Sequence, residues 1–135
     1  MVIYKNTEVP IYCGRLHIAI STDFKEDIPK LNKLFKENFT MENDVLGMSQ
    51  KRGHHNLVII NVDKHIRAFK SSKLLETEVI ATISHEAIHT CNTIFRDKGI
   101  KLDVDNDEPQ AYLVDWLVKQ IYWEYLKTKE NGKVI

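Results

Sequence analysis

The sequence is short of the features that mark a specialised class. Only two cysteines, Cys13 and Cys91, occur in 135 residues, too few for a disulfide framework. Two reduced thiols are expected, with a Cys13–Cys91 pair as the alternative. Neither sign of charge is in excess: Lys plus Arg number 19 and Asp plus Glu number 19. That balance gives no overall pull toward nucleic acid, a membrane surface or an acidic partner. No apolar run approaches the about 20 residues that cross a bilayer. The opening Met1-Val2-Ile3-Tyr4-Lys5-Asn6 lacks the basic-then-apolar order of a signal peptide. A cytoplasmic protein is therefore expected, with neither nucleic acid nor membrane among its partners. No repeat, low-complexity tract or Gly/Ser linker divides the chain. Residues 1–135 are expected to form one domain, long enough to bury a core without staples.

What is present is the balance of an ordinary globular chain, 43% hydrophobic and 28% charged. Val9 to Ser21, which alternates at Leu16-His17-Ile18-Ala19-Ile20, reads as a strand, with Gly14 expected to mark a bend or bulge within it. Ser21-Thr22-Asp23 offers a cap for a helix over about 24–38, with Pro29 near its first turns. Val45 to Gln50 is ambiguous and permits a short strand. Leu57-Val58-Ile59-Ile60-Asn61-Val62 reads as a well-buried strand. Ser71-Ser72 can cap a helix over about 73–97, in which Leu75, Val79, Ile83, Ala87, Cys91 and Ile94 keep a three-to-four spacing. Lys98-Gly99 ends it with a cation and then glycine. After a polar, acidic connection, a last helix is expected over about 108–129. The fold class is α+β: a small mixed or antiparallel sheet packed on helices.

The chemistry lies inside the long helix, at His85-Glu86-Ala87-Ile88-His89. Residues four apart sit one turn apart on one helix face, so two imidazoles at that spacing can grip one zinc ion. The residue after the first histidine projects about 100° away. Its carboxylate can then act on a water held by the metal instead of ligating the metal itself. His85 and His89 are the expected zinc ligands and Glu86 the general base. Chance alone would place HExxH in a chain of this composition about 2% of the time, so the surrounding helix matters to the assignment.

A catalytic zinc takes three protein ligands and leaves one position open. The last helix follows a short connection and must pack back, so its first turn should supply the third. Asp105, Asp107 and Glu108 are the candidates; the two aspartates can alternatively cap the helix. Asp115, two turns beyond Glu108, either accepts the free N–H of a ligating imidazole or is a solvated surface acid. Asn92, three after His89, can serve the same purpose. Tyr112 either aids an oxyanion or packs in the core. His54 and His55 belong to an exposed turn or add a ligand or oxyanion donor. His17 and His65 do not stand out, and Trp116, Trp123, Tyr122 and Tyr125 are expected to be structural.

The stretch Thr82-Ile83-Ser84-His85-Glu86-Ala87-Ile88-His89, followed by Asp107-Glu108-Pro109-Gln110-Ala111-Tyr112-Leu113-Val114-Asp115-Trp116-Leu117, resembles small bacteriophage and prophage proteins of the HExxH metallopeptidase type. Ile11-Tyr12-Cys13-Gly14-Arg15-Leu16-His17-Ile18 is similar to their opening segment. Eighteen residues, 90–107, separate His89 from Glu108, the HExxH-x18-E spacing of the gluzincin metallopeptidases. The resemblance implies a minimal, zincin-like domain in which His85, His89 and Glu108 hold Zn2+ and Glu86 is the base. It further implies a small sheet beside the motif helix, whose edge strand receives an extended peptide. The extra domain that builds a deep cleft in the large gluzincins is expected to be absent, so a narrow range of protein or peptide substrates is expected, in a bacterial or phage-infected cell. Two alternatives stay open. One is a zinc hydrolase of a non-peptide amide or ester. The other is a phage structural or host-interaction protein whose zinc site is structural or inactive.

Overall fold

A computed structural model describes residues 1–130. Its elements are strand β1 (Val2–Glu8), strand β2 (Arg15–Ser21), helix α1 (Phe24–Phe35), a 3-10 turn (Met41–Asn43), strands β3 (Gly47–Arg52) and β4 (His55–Asn61), and helices α2 (Val62–Ala68), α3 (Ser72–Asp97) and α4 (Glu108–Glu130). The class is α+β, as the sequence pattern implies.

The four strands form one mixed sheet in the order β1-β2-β4-β3. β2 and β4 are parallel neighbours at its centre, and β1 and β3 flank them antiparallel. The apolar runs of the central strands are explained by burial on both faces. Leu16, Ile18, Ile20, Val58 and Ile60 turn toward α3 and α4. Ala19, Leu57 and Ile59 turn toward Phe24, Leu31 and Phe35 of α1. Fully burying each large aliphatic side chain contributes about 1.5–3 kcal/mol, so this double-faced layer fixes the sheet between its helices.

Two elements were not apparent from the sequence. β1 pairs along the whole of β2, yet Val-Ile-Tyr-Lys-Asn-Thr-Glu has no clear alternation. α2 is seven residues long, too short for a helical period to show. α1 also ends earlier than position 38. Lys36 takes a left-handed backbone at φ 53°, and the Arg52 guanidinium donates to the carbonyl oxygens of Phe35 (2.7 Å) and Lys36 (3.2 Å), satisfying the helix end from across the fold. Gly14, at φ +88°, lies in the β1–β2 turn and not within a strand. Cys13 is exposed, Cys91 is buried, and both are free thiols.

α3 and α4 pack antiparallel. Near one end the Cys91 thiol approaches the Gln110 carbonyl at 4.0 Å, and near the other the Tyr125 hydroxyl donates to Glu76 at 2.6 Å. No helix among the described residues is long and apolar enough to cross a membrane.

Candidate metal centre

The motif helix is built as its sequence suggests. Ser71 accepts from the Leu74 amide, and Gly99, at φ 69°, follows the last turn. The stripe Leu75, Val79, Ile83, Ala87, Cys91 and Ile94 is buried. With that face committed to the core, His85 and His89 emerge exposed on the other side. Their Nε2 atoms converge to 3.1 Å. Two nitrogens bound to one tetrahedral zinc at 2.0–2.1 Å lie about 3.3 Å apart, so the pair has the spacing a shared ion requires.

Glu86 is turned away from that pair toward the sheet and is only 5% exposed. It lies under Gly47, the first residue of β3. A Cβ on Gly47 would stand 2.7 Å from Thr82 Cγ2 and 3.1 Å from Glu86 Cγ, so the glycine is what lets β3 come this close. Among the described residues no hydrogen bond engages the Glu86 carboxylate, and with Thr82 and His85 it lines an open pocket of about 370 Å³.

β3 then runs beside α3 in the same direction, from Gly47 at Thr82 and Glu86 to Lys51, whose ammonium meets Asp97 at 2.6 Å. The Asn61 amide donates to the Leu46 carbonyl at 2.9 Å. Alternation along an antiparallel pair therefore turns the backbone groups of Gly47, Ser49 and Lys51 away from β4. No described strand pairs with that outer edge.

The first turn of α4 does not complete the site. Among the described residues, no group of three or more His, Cys, Asp or Glu side chains assembles to hold a metal. Glu108 is the first residue of α4 and is exposed. Asp107 caps the helix through its carbonyl, which accepts from the Ala111 amide at 2.9 Å. Asp107 and Asp115 line a shallow groove that includes Ile88 of the motif; Asp105, like Glu108, stays outside it. Asp115 is exposed and paired with Lys119 at 2.9 Å, the arrangement of a solvated acid. Tyr112 is 70% exposed, neither in the core nor at the imidazoles, and lines an apolar groove with Ile11 and Tyr12.

The remaining histidines fall in unexpected places. His54 is an exposed turn residue, 3.6 Å from Asp97. His55 opens β4 and receives His17 across the sheet, Nε2 to Nδ1 at 2.7 Å, while the Tyr4 hydroxyl meets His17 Nδ1 at 2.6 Å. Burial, His55 and Arg15 all depress the His17 pKa. His65 is fully buried. Its Nδ1 donates to the Asn61 carbonyl at 2.7 Å and its Nε2 meets the Thr82 hydroxyl at 2.9 Å, which holds the wall behind Glu86. Burial is the main cause that lowers the His65 pKa, so the neutral ring donates from Nδ1 and accepts at Nε2. Only the strand register or the packing of α2 reveals these contacts; no local spacing does. Burial also pushes the Cys91 thiol up to about 11, which leaves it a packing residue and not a ligand. Asn92 Oδ1 is buried without a hydrogen-bond partner. Trp116 is half-buried against the core and Tyr125 is fully buried, whereas Trp123 is half exposed.

No protein-family model, curated protein or solved structure matches the chain.

Proposed function

We propose that the chain is a zinc-dependent metallopeptidase of zincin-like architecture. The observation that carries this is the convergence of His85 Nε2 and His89 Nε2 to 3.1 Å beside a buried, unpartnered glutamate. Both imidazoles face solvent, which suits a catalytic site that keeps an open position better than a structural site closed by four ligands. The edge of β3 that no described strand pairs with lies alongside, and its backbone groups can align an extended chain.

His85 and His89 hold the metal, and the third ligand comes from the first turn of α4, with Glu108 assigned and Asp107 its nearest competitor. Asn92 fits the outer-shell role better than Asp115. Its buried oxygen has no donor, and a metal-bound imidazole needs an acceptor for its second N–H. When bound, zinc supplies a water of lowered pKa and polarises the scissile carbonyl. Glu86 takes the proton of the attacking water at its carboxylate and passes it to the leaving amine. Its burial beneath Gly47 keeps the carboxylate from swinging into solvent. The shallow surroundings favour a narrow set of peptide or protein substrates.

The decisive experiment pairs metal analysis with peptide cleavage for the wild-type chain, Glu86→Gln and Glu108→Ala. Glu86→Gln should retain stoichiometric zinc and lose turnover by about 10²–10⁴-fold, the range for a general base. Full activity in that variant would remove Glu86 from its role. Undiminished zinc in Glu108→Ala would remove Glu108 as ligand.

A further inference from the structure

The pocket between the start of β3 and α3 contains a group that the hydrolytic chemistry does not use. Glu78 lies two turns before His85 on the same helix stripe and lines the pocket with Leu46, Gly47, Ala81 and Thr82. It is half-buried. Among the described residues no ion pair engages it, and no lysine or arginine lines the pocket. Glu86, 5% exposed and also unpartnered, closes the inner wall. Leu46 and Ala81 offer apolar contact to an aliphatic stem, and Glu78 offers a counter-charge beyond it.

Resting on the metallopeptidase reading, we infer that this pocket selects a lysine or arginine side chain of the peptide substrate, with Glu78 as the specificity-determining residue. Direction follows from the edge strand. A peptide pairing antiparallel with β3 runs from Lys51 toward Gly47, so the side chain entering the pocket follows the scissile bond. Reach is consistent with this. Seven residues of helix place Glu78 about 10 Å along the axis from His85, a span bridged by one residue of extended chain and a long basic side chain. The same separation keeps the bound cation from neutralising Glu86, about 12 Å away along the helix. The volume, about 370 Å³, suits one side chain and not a folded surface. The stem-and-head character of lysine and arginine matches a pocket that is apolar at its walls and anionic at one point.

Binding can be measured apart from catalysis. The metal-free wild-type chain is titrated with acetylated, amidated tetrapeptides that differ only in carrying lysine, arginine, norleucine or glutamate at one position. Backbone amide shifts are followed by NMR. Lysine and arginine peptides should move the Leu46, Gly47 and Ala81 amides and bind at least about 10-fold tighter than norleucine or glutamate peptides at low salt. Glu78→Gln should erase that difference, and Glu78→Lys should reverse it toward glutamate. Equal binding of lysine and norleucine, an unchanged preference in Glu78→Gln, or no binding of any peptide would overturn the assignment. Zinc-loaded protein then separates the two proposals. Cleavage without preference for a basic residue after the scissile bond defeats the pocket assignment alone. A Glu78-dependent binding preference with no cleavage of any peptide defeats the peptidase and leaves the pocket standing.

Discussion

Two histidine pairs sit on this molecule, and they differ in what their nitrogens are free to do. On the sheet, His17 and His55 meet Nε2 to Nδ1 at 2.7 Å, and Tyr4 occupies the other nitrogen of His17. Both His17 nitrogens are committed to hydrogen bonds, and one proton serves the contact between the rings. On α3, His85 and His89 present Nε2 to Nε2 at 3.1 Å, with exposed rings and no other described partner. Two like nitrogens at that distance repel unless a proton or a cation lies between them. A buried carboxylate also stands beside the helix pair, whereas the sheet pair has Arg52 and Lys36 for neighbours. Closeness of two imidazoles is therefore a poor mark of a metal site; uncommitted nitrogen lone pairs and a nearby base are better ones.

The largest effect should come from removing one imidazole of each pair. His89→Ala is expected to lower bound zinc from stoichiometric to near zero, whereas His17→Phe should leave it intact. Atomic emission on the dialysed proteins reads both. Loss of zinc in the sheet variant alone would invert the comparison.

Gly47→Ala comes next. Its Cβ would press on Thr82, whose hydroxyl is held by His65, so neither neighbour yields easily. A destabilisation of about 1–3 kcal/mol is expected from such overpacking, together with displacement of Glu86 and loss of activity. Chemical denaturation and the cleavage assay report the two parts separately. An unchanged unfolding midpoint would show that β3 can retreat from the helix.

The pH dependence tests how His17 of the sheet and His65 of α2 are held. His17 and His65 both have lowered pKa values in the folded chain. Below about pH 6.5, the usual histidine value, the unfolded chain takes up protons that the folded one refuses. Stability is therefore full above that value and falls as the pH drops toward the folded pKa values. Melting temperature should decrease from pH 7 to pH 5, and His17→Phe should lessen the slope. Identical slopes would mean that burial does not govern His17.

The smallest effect is expected at Asp115. The side chain is exposed and paired with Lys119, and such a pair contributes about 0–1 kcal/mol. Asp115→Asn should leave zinc affinity unchanged within error. A tenfold loss by competition with a chelating dye would place Asp115 behind a ligating imidazole after all.

Much of the scaffold was legible because its signals are local. β2 and β4 announce themselves by alternation and by an apolar run, and α3 by an N-cap, a buried stripe and a terminal Lys-Gly. β1 escaped because its partner, not its own pattern, makes it a strand. α2 escaped because about two turns of helix hold too few residues for periodicity. Tyr112 and Asp115 were ambiguous for the same reason: a helix wheel orders residues around an axis but does not say which side another segment will cover.

The sequence by itself determined the His85–Glu86–His89 arrangement, because i and i+4 share a helix face whatever the rest of the chain does. Only the tertiary structure decided what surrounds it. Non-local packing brings Gly47 against Thr82 and Glu86, leaves the outer edge of β3 unpaired among the described strands, buries His65 behind the wall and joins His17 to His55. It also places the N-terminal half of α4 so that Asp107 and Asp115, and not Glu108, line the groove at Ile88. These placements depend on how segments separated in the chain, by 17 positions for His65 and Thr82 and by 38 for His17 and His55, settle against one another, a matter of packing and register that no local spacing encodes.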